Sequence, residues 1–195
     1  MNPDGYEAFD DPYCYKGTFV LKNRLGIRES TALEAFELEM SSLRADEPLP
    51  AGKFGVAHYR AIHRHLFKDV YSWAGRYRTV RTGKGGNWFC YPEYISGEMD
   101  RLFGRLADDD LLRDKTFGEF VIAAAQFLGE LNAIHPFREG NGRAQLAFMH
   151  LLAVEAGHPL DLTRIRTDHF MRAMVLSFGC ELGPLIVELE GLRST

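Results

Sequence analysis

The sequence predicts a mainly α-helical single domain carrying one β-hairpin, on three observations. Apolar residues recur at steps of three and four along most of the chain, which is the period of a helix with one buried face. Two Thr-x-x-Glu capping signatures, Thr31 with Glu34 and Thr116 with Glu119, mark helix starts. A single stretch, residues 76–91, alternates instead and is broken by a glycine-rich tip. The 195 residues, 46% of them hydrophobic, suit one domain with a real core.

Residues 1–24, rich in Tyr, Pro and Gly, read as an irregular lead-in, and residues 25–192 as the domain proper. The first helix opens at Thr31 with the stripe Leu33, Phe36, Met40 and Leu43, and Pro48 and Pro50 end it. The second carries Tyr59, Ile62, Leu66, Phe67 and Val70 on one side. Within 76–91, Tyr77 and Thr79 alternate with Arg76 and Arg78, and Gly83-Lys84-Gly85-Gly86-Asn87 forms the hairpin tip. Pro92 and Glu93 suit a first helical turn leading to Ile95, Met99, Leu102 and Leu106. From Thr116 a helix buries Phe117, Phe120, Val121, Ala124, Phe127, Leu128 and Leu131. Another runs from about Gly142 to Ala156, stopped by Gly157 and Pro159. Shorter helices near 168–178 and 184–192 finish the chain.

Composition narrows the function. The 23 Lys+Arg against 27 Asp+Glu leave a net charge of −4, without the broad positive field of a non-specific nucleic-acid binder. A nucleotide held here is expected to be small and locally bound. Cys14, Cys90 and Cys180 are scattered and odd in number, with neither zinc spacing nor a disulfide framework. The first five residues lack the basic and apolar regions of a secretion signal, and no run approaches ~18 apolar residues. The expectation is a cytoplasmic protein with no membrane partner.

Chemistry concentrates in His135-Pro136-Phe137-Arg138-Glu139-Gly140-Asn141-Gly142-Arg143. Ala124, Leu128, Leu131 and His135 continue one helical stripe, so the histidine leaves its helix on the interior side. Pro136 halts that helix, and Phe137 anchors the loop in the core. Gly140 and Gly142 let backbone amides approach a ligand at the start of the next helix, a natural anion site. Glu139 is a hard oxygen donor suited to Mg²⁺, and Arg143 a forked cation. A lone His before Pro is more often structural, and glycine turns before helices are common. The combination is what points to transfer of a phosphate-linked group onto a hydroxyl.

This segment resembles the Fic family signature HxFx(D/E)GNGRxxR. IHRHLFKDVYSWAGRYR at 62–78, KGGNWFCYPEYI at 84–95 and SFGCELGPL at 177–185 are similar to the family in the same order. The resemblance implies the Fic fold, with residues 76–91 as its flap and 135–143 as its signature loop. It also implies a protein adenylyltransferase that moves AMP from ATP to a Ser, Thr or Tyr hydroxyl of a target protein. His135 would be the general base and Glu139 the Mg²⁺ ligand. Gly140, Asn141 and Gly142 would bind phosphate oxygens, and Arg143 the β-phosphate. The flap would align the target as an added strand along residues 84–91. Lys84 there is either a phosphate contact or a solvated turn residue, and Trp88 and Phe89 either clamp the target or simply pack. Asn132 takes a supporting role.

One position departs from the signature: Leu146 stands where the family has its second arginine, on a stripe with Met149 and Ala153 that reads as core. The expectation is weakened or altered ATP use. The family's inhibitory pattern (S/T)xxxE(G/N) is matched neither by Ser30–Ala35, which ends in Ala, nor by Ile186–Gly191, which begins with Ile. The chain therefore looks like the stand-alone type restrained by a small separate antitoxin, similar members of which are toxins that modify type II topoisomerases. Alternatives are transfer of another phosphate-containing group, or a nucleotide- or partner-binding module of reduced activity. Doc-like kinases are the weaker match, because their loop has a lysine in place of Arg143.

Overall fold

The computed structural model describes residues 6–7, 11–84 and 86–194. Among the described residues, seven α-helices order as α1 (Ser30–Ala45), α2 (Val56–Phe67), α3 (Ile95–Asp108), α4 (Phe117–Ile134), α5 (Asn141–Glu155), α6 (Thr167–Phe178) and α7 (Gly183–Glu190). α4 runs through the middle, packed on α3, α5, α6 and α7, while α2 lies against α1 and α5. The capping box at Thr116 and Glu119 is formed in full, and Phe120, Val121, Ala124, Phe127, Leu128 and Leu131 face the core as expected. With 18 residues and a mean hydropathy of 1.2, α4 is long and apolar enough by composition to cross a membrane, against the sequence expectation. Here its apolarity has another use: a central helix meets protein on several sides, so it carries few polar positions.

The start of α1 differs from its prediction. Glu29, not Thr31, caps it, its carboxylate accepting from the N–H groups of Thr31 at 3.0 Å and Ala32 at 2.7 Å. The stripe is also displaced. Leu33 is buried, but Leu43 is 54% exposed, and the inward positions further along are Glu37 and Ser41. A polar inner face on a packed helix signals that something charged lies opposite.

The hairpin is smaller than residues 76–91 suggested. Its strands are only β2 (Gly83–Lys84) and β3 (Asn87–Trp88), paired Gly83 with Trp88 and Lys84 with Asn87. Gly85, at the predicted tip, lies outside the described residues, as do residues 1–5 of the lead-in. A third strand, β1 (Tyr6–Glu7), joins the other edge of β2, Tyr6 opposite Lys84, to give the order β1-β2-β3. The alternation read at 76–79 does not hold, because the chain there is not a strand. Arg78 is fully buried and Thr79 exposed. Pro92–Tyr94 form one turn of 3₁₀-helix that leads into α3. The three cysteines are free.

Candidate active site

The loop between α4 and α5 is held from four directions. Phe137 is fully buried, stacked on His63 at 3.7 Å between ring centres and on Tyr59 at 5.5 Å. Asn141 turns its side chain back on the loop, accepting from the Phe137 N–H and donating to the Phe137 carbonyl, both at 2.9 Å. Its side-chain amide is thereby committed to loop structure, so a phosphate contact from Asn141 falls to its backbone N–H at the start of α5. Arg138 forms a buried ion pair with Asp11 of the lead-in at 2.6 Å. His63 accepts from the Gly75 N–H at Nδ1, 2.9 Å, which leaves its Nε2–H to donate to the Glu139 carbonyl at 2.9 Å. Burial pushes the His63 pKa down to about 3, so the bridge stays neutral.

His135 caps α4 in the left-handed region, with φ 48° and ψ 62°. That bend turns the ring off the helix, face to face with Phe89 at 3.8 Å and an interplanar angle of 7°. Phe89 is thus a buried packing partner of the histidine rather than a target clamp. His135 is 7% exposed, and its pKa falls to about 3. Burial is the main cause, followed by the charge of Arg78; Lys84 and Arg138 act in the same sense, and a hydrogen bond with the Asn132 backbone opposes them. The imidazole is neutral at physiological pH, the state a proton acceptor needs.

Arg78 carries no functional mark in the sequence, yet it organises the site. Its guanidinium donates to the carbonyls of His135 (2.8 Å), Val80 (2.7 Å), Cys90 (2.5 Å) and Ile134 (3.2 Å). Its own N–H reaches the Pro136 carbonyl at 2.9 Å. The last carbonyls of a helix lack intrahelical partners, and a forked cation suits them. Burial lowers its pKa to about 10, which leaves it charged. One side chain thus ties the end of α4 to both arms of the hairpin.

A cavity of ≈ 520 Å³ opens beside the histidine, lined at its polar end by Lys84, His135, Glu139, Gly140, Gly142 and Arg143. Its other wall is apolar, with Phe170, Met171, Met174 and Val175 of α6. Gly140 has φ +80°, and a Cβ there would strike the Phe67 ring at 2.3 Å, so only glycine fits. A Cβ on Gly142 would meet nothing within 4 Å. Leu146 also lines this cavity and is half-buried, so it is part of the pocket wall rather than of the core with Met149 and Ala153. Asn132, a further lining residue, donates to the Met174 carbonyl at 3.1 Å and so ties α4 to α6.

Arg143 and Glu139 meet a residue absent from the sequence reading. Arg143 pairs with Glu37 of α1, donates to Ser41 at 2.8 Å and lies 3.8 Å from Glu139. This is what the polar face of α1 meets. Glu37 also accepts from the Tyr71 hydroxyl. Burial, then the charge of Glu37, holds the Glu139 carboxyl above the usual carboxylate range. A carboxylate so placed gains from a cation, and its donor set fits Mg²⁺, which takes one or two carboxylates and completes its shell with phosphate and water oxygens. No group of three or more potential metal ligands exists among the described residues, so most of that shell would come from substrate. Glu139 and Lys84 also line a second, smaller cavity of ≈ 250 Å³ shared with Glu37 and Tyr71.

A buried neutral histidine, a glycine-flanked helix start and an arginine around one half-apolar cavity define a nucleotide-handling transferase domain. The chain belongs to the Fic/DOC family, whose profile matches residues 53–153. It is 52% identical over 186 residues to the probable protein adenylyltransferase y4lH of Sinorhizobium fredii, covering 95% of this chain and 97% of that one. It is 37% identical to the probable protein adenylyltransferase Fic of Escherichia coli, over 84% and 82% of the two chains. Among solved structures it matches the BepC effector protein of Bartonella tribocorum with bound AMPPNP, at a TM-score of 0.83 and 29% identity, over 93% and 96% of the chains. A Bartonella quintana Fic domain with bound ADP matches at a TM-score of 0.85 and 29% identity, over 93% and 94%. The Fic fold expected from the signature loop is therefore the fold observed.

Proposed function

We propose that this chain is a protein adenylyltransferase that transfers AMP from ATP to a hydroxyl side chain of a target protein. The carrying observation is the neutral, ring-stacked His135 at the rim of a cavity whose far wall is apolar and whose near wall is the start of α5. The purine would lie against Met171, Met174 and Val175, with the phosphates toward the N–H groups of α5, Arg143 and Lys84. His135 takes the proton of the target hydroxyl. Its oxygen bonds to the α-phosphorus as the bond to the bridging oxygen breaks, and pyrophosphate departs. Arg143 and the α5 amides stabilise the charge that builds on the phosphate oxygens. Mg²⁺ held at Glu139 would supply further neutralisation of charge on the phosphate oxygens.

The target reaches the site along the flap. β2 is flanked on both sides, so β3 carries the open edge among the described residues. Trp88 there is 38% exposed and lies over the Arg81 guanidinium at 4.6 Å. A cytoplasmic site of action, a type II topoisomerase as target and restraint by a small antitoxin complete the proposal. The missing inhibitory pattern supports the last of these.

Leu146 favours a second reading, in which the donor is another phosphate-linked compound or the chain only binds nucleotide. Incubation with α-³²P- or γ-³²P-ATP, Mg²⁺ and cell lysate separates these. Protein label from the α position only, lost in His135→Ala, is the expected result. Label from γ indicates a kinase, and neither label despite ATP binding overturns the transferase.

A further inference from the structure

On the face of α2 turned away from the active site, a hollow of ≈ 740 Å³ is lined by Arg24, Arg60, Arg64, Lys68 and Arg76 over a floor that includes Ala57, Ala61 and Ala74. No carboxylate lines it, in a chain whose net charge is −4. Asp69, whose charge reaches Arg24 and Lys68, and Glu47, whose charge reaches Lys68, are both engaged by Arg44, at 2.6 and 2.7 Å. Two of the five cations are fixed in place. Arg60 Nε donates to the Gly75 carbonyl at 2.9 Å with its guanidinium over the Tyr77 ring, and Arg76 donates to the Ser72 carbonyl at 2.8 Å. Like charges gathered in a concave site cost stability through mutual repulsion, and an anionic ligand relieves it.

We propose that this hollow binds an extended acidic segment of a partner protein, at a docking site separate from the catalytic cavity. Spacing selects the ligand. Arg60 and Arg64 on α2 and Lys68 at its C-cap, still in helical conformation, stand at four-residue steps, and each step rises about 6 Å. Alternate residues of an extended peptide, which share one side, repeat at about 6.5 Å. Carboxylates at every second position therefore meet one cation each, and Arg24 and Arg76 flank the row. Four of the five cations are arginines, which grip carboxylates with paired donors. A nucleic-acid single strand is disfavoured because such sites stack bases on exposed aromatic rings. The one aromatic residue in this lining, Tyr71, is 1% exposed. A membrane is disfavoured by the concave shape and the absence of a large exposed apolar residue in the lining.

Fluorescence anisotropy with a labelled (Glu-Ser)₅ peptide tests the site, using the intact chain at ~50 mM salt. Arg64→Ala/Lys68→Ala is the variant of choice, since both line the hollow and, among the described residues, neither is tied to a backbone carbonyl as Arg60 and Arg76 are. Saturable binding that weakens at least tenfold in that variant, falls with added salt and is unchanged in His135→Ala is expected. Absence of saturation up to millimolar chain, or equal affinity of the double variant with an unchanged melting temperature, overturns the proposal. Tighter binding of oligothymidylate or tripolyphosphate with the same residue dependence also overturns it, in favour of a phosphate site.

Discussion

Arg78 shows how far a single residue can be hidden from sequence reading. Beside Tyr77 and Thr79 it looks like the solvent side of a strand, but the chain there bends and the guanidinium becomes the hub of four carbonyls. A position that donates to backbone leaves no complementary residue type to find in the sequence. Removing the donors, as in Arg78→Met, strands buried carbonyls at about 1–3 kcal/mol each and should prevent stable folding. Arg78→Lys keeps the charge but cannot span four acceptors. With an intact fold, we expect its kcat to fall roughly tenfold or more while KM for ATP changes little, because Arg78 does not line the cavity. Its charge persists, so the low pKa of His135 and the acid limb of the rate profile should stay in place. Steady-state label incorporation across pH measures all three quantities. An unchanged kcat would reduce Arg78 to a filler of space.

At the scale of elements, α4 and α5 were legible with their functional ends, whereas α1 was legible as a helix but not in its cap or its inner face. The capping box at Thr116, the Pro136 stop and the Gly140 turn are local signals, each backed by chain chemistry within a few residues. The signature residues follow from them, because a loop of fixed length between two helices brings His135, Glu139 and Arg143 to one cavity. Glu37 acts across 106 residues of sequence, and its helical position alone reads as a surface charge. Its neighbour in function, Leu146, lies on α5 one turn beyond Arg143, facing the same cavity. An arginine at that position therefore has open volume to enter and would add a second guanidinium near the phosphates. We expect Leu146→Arg to raise turnover ten- to a hundredfold, the ~1.5–3 kcal/mol typical of a charge-assisted hydrogen bond. The same variant assayed with α-³²P-ATP and pyrophosphate release gives the number, and no gain in a folded protein means the leucine suits a different donor.

The whole molecule carries its catalytic loop on buried titratable groups, and that has a thermodynamic consequence. His63 and His135 both titrate at about 3 when folded, against ~6.5 in an unfolded chain. Between those values the unfolded state binds more protons, so stability falls as pH falls, by about 1.4 kcal/mol per pH unit for each histidine. Glu139 works in the opposite sense. Its folded pKa is raised to about 7, so the native state holds the extra proton from there down to ~4.5, which offsets one histidine across that window. The net slope expected from pH 6.5 down to about 5 is that of a single histidine, a loss of about 2 kcal/mol, followed by a steeper fall below 4.5 as the carboxylate protonates in both states. Urea unfolding at half-unit steps of pH measures it. His63→Gln retains an acceptor for the Gly75 N–H and a donor for the Glu139 carbonyl while removing one titration. In that variant the two remaining groups cancel, and stability should be flat between pH 6.5 and 5. A slope equal to that of the parent would mean that His63 is not buried in its neutral form, and that the loop is held by something other than the His63 bridge.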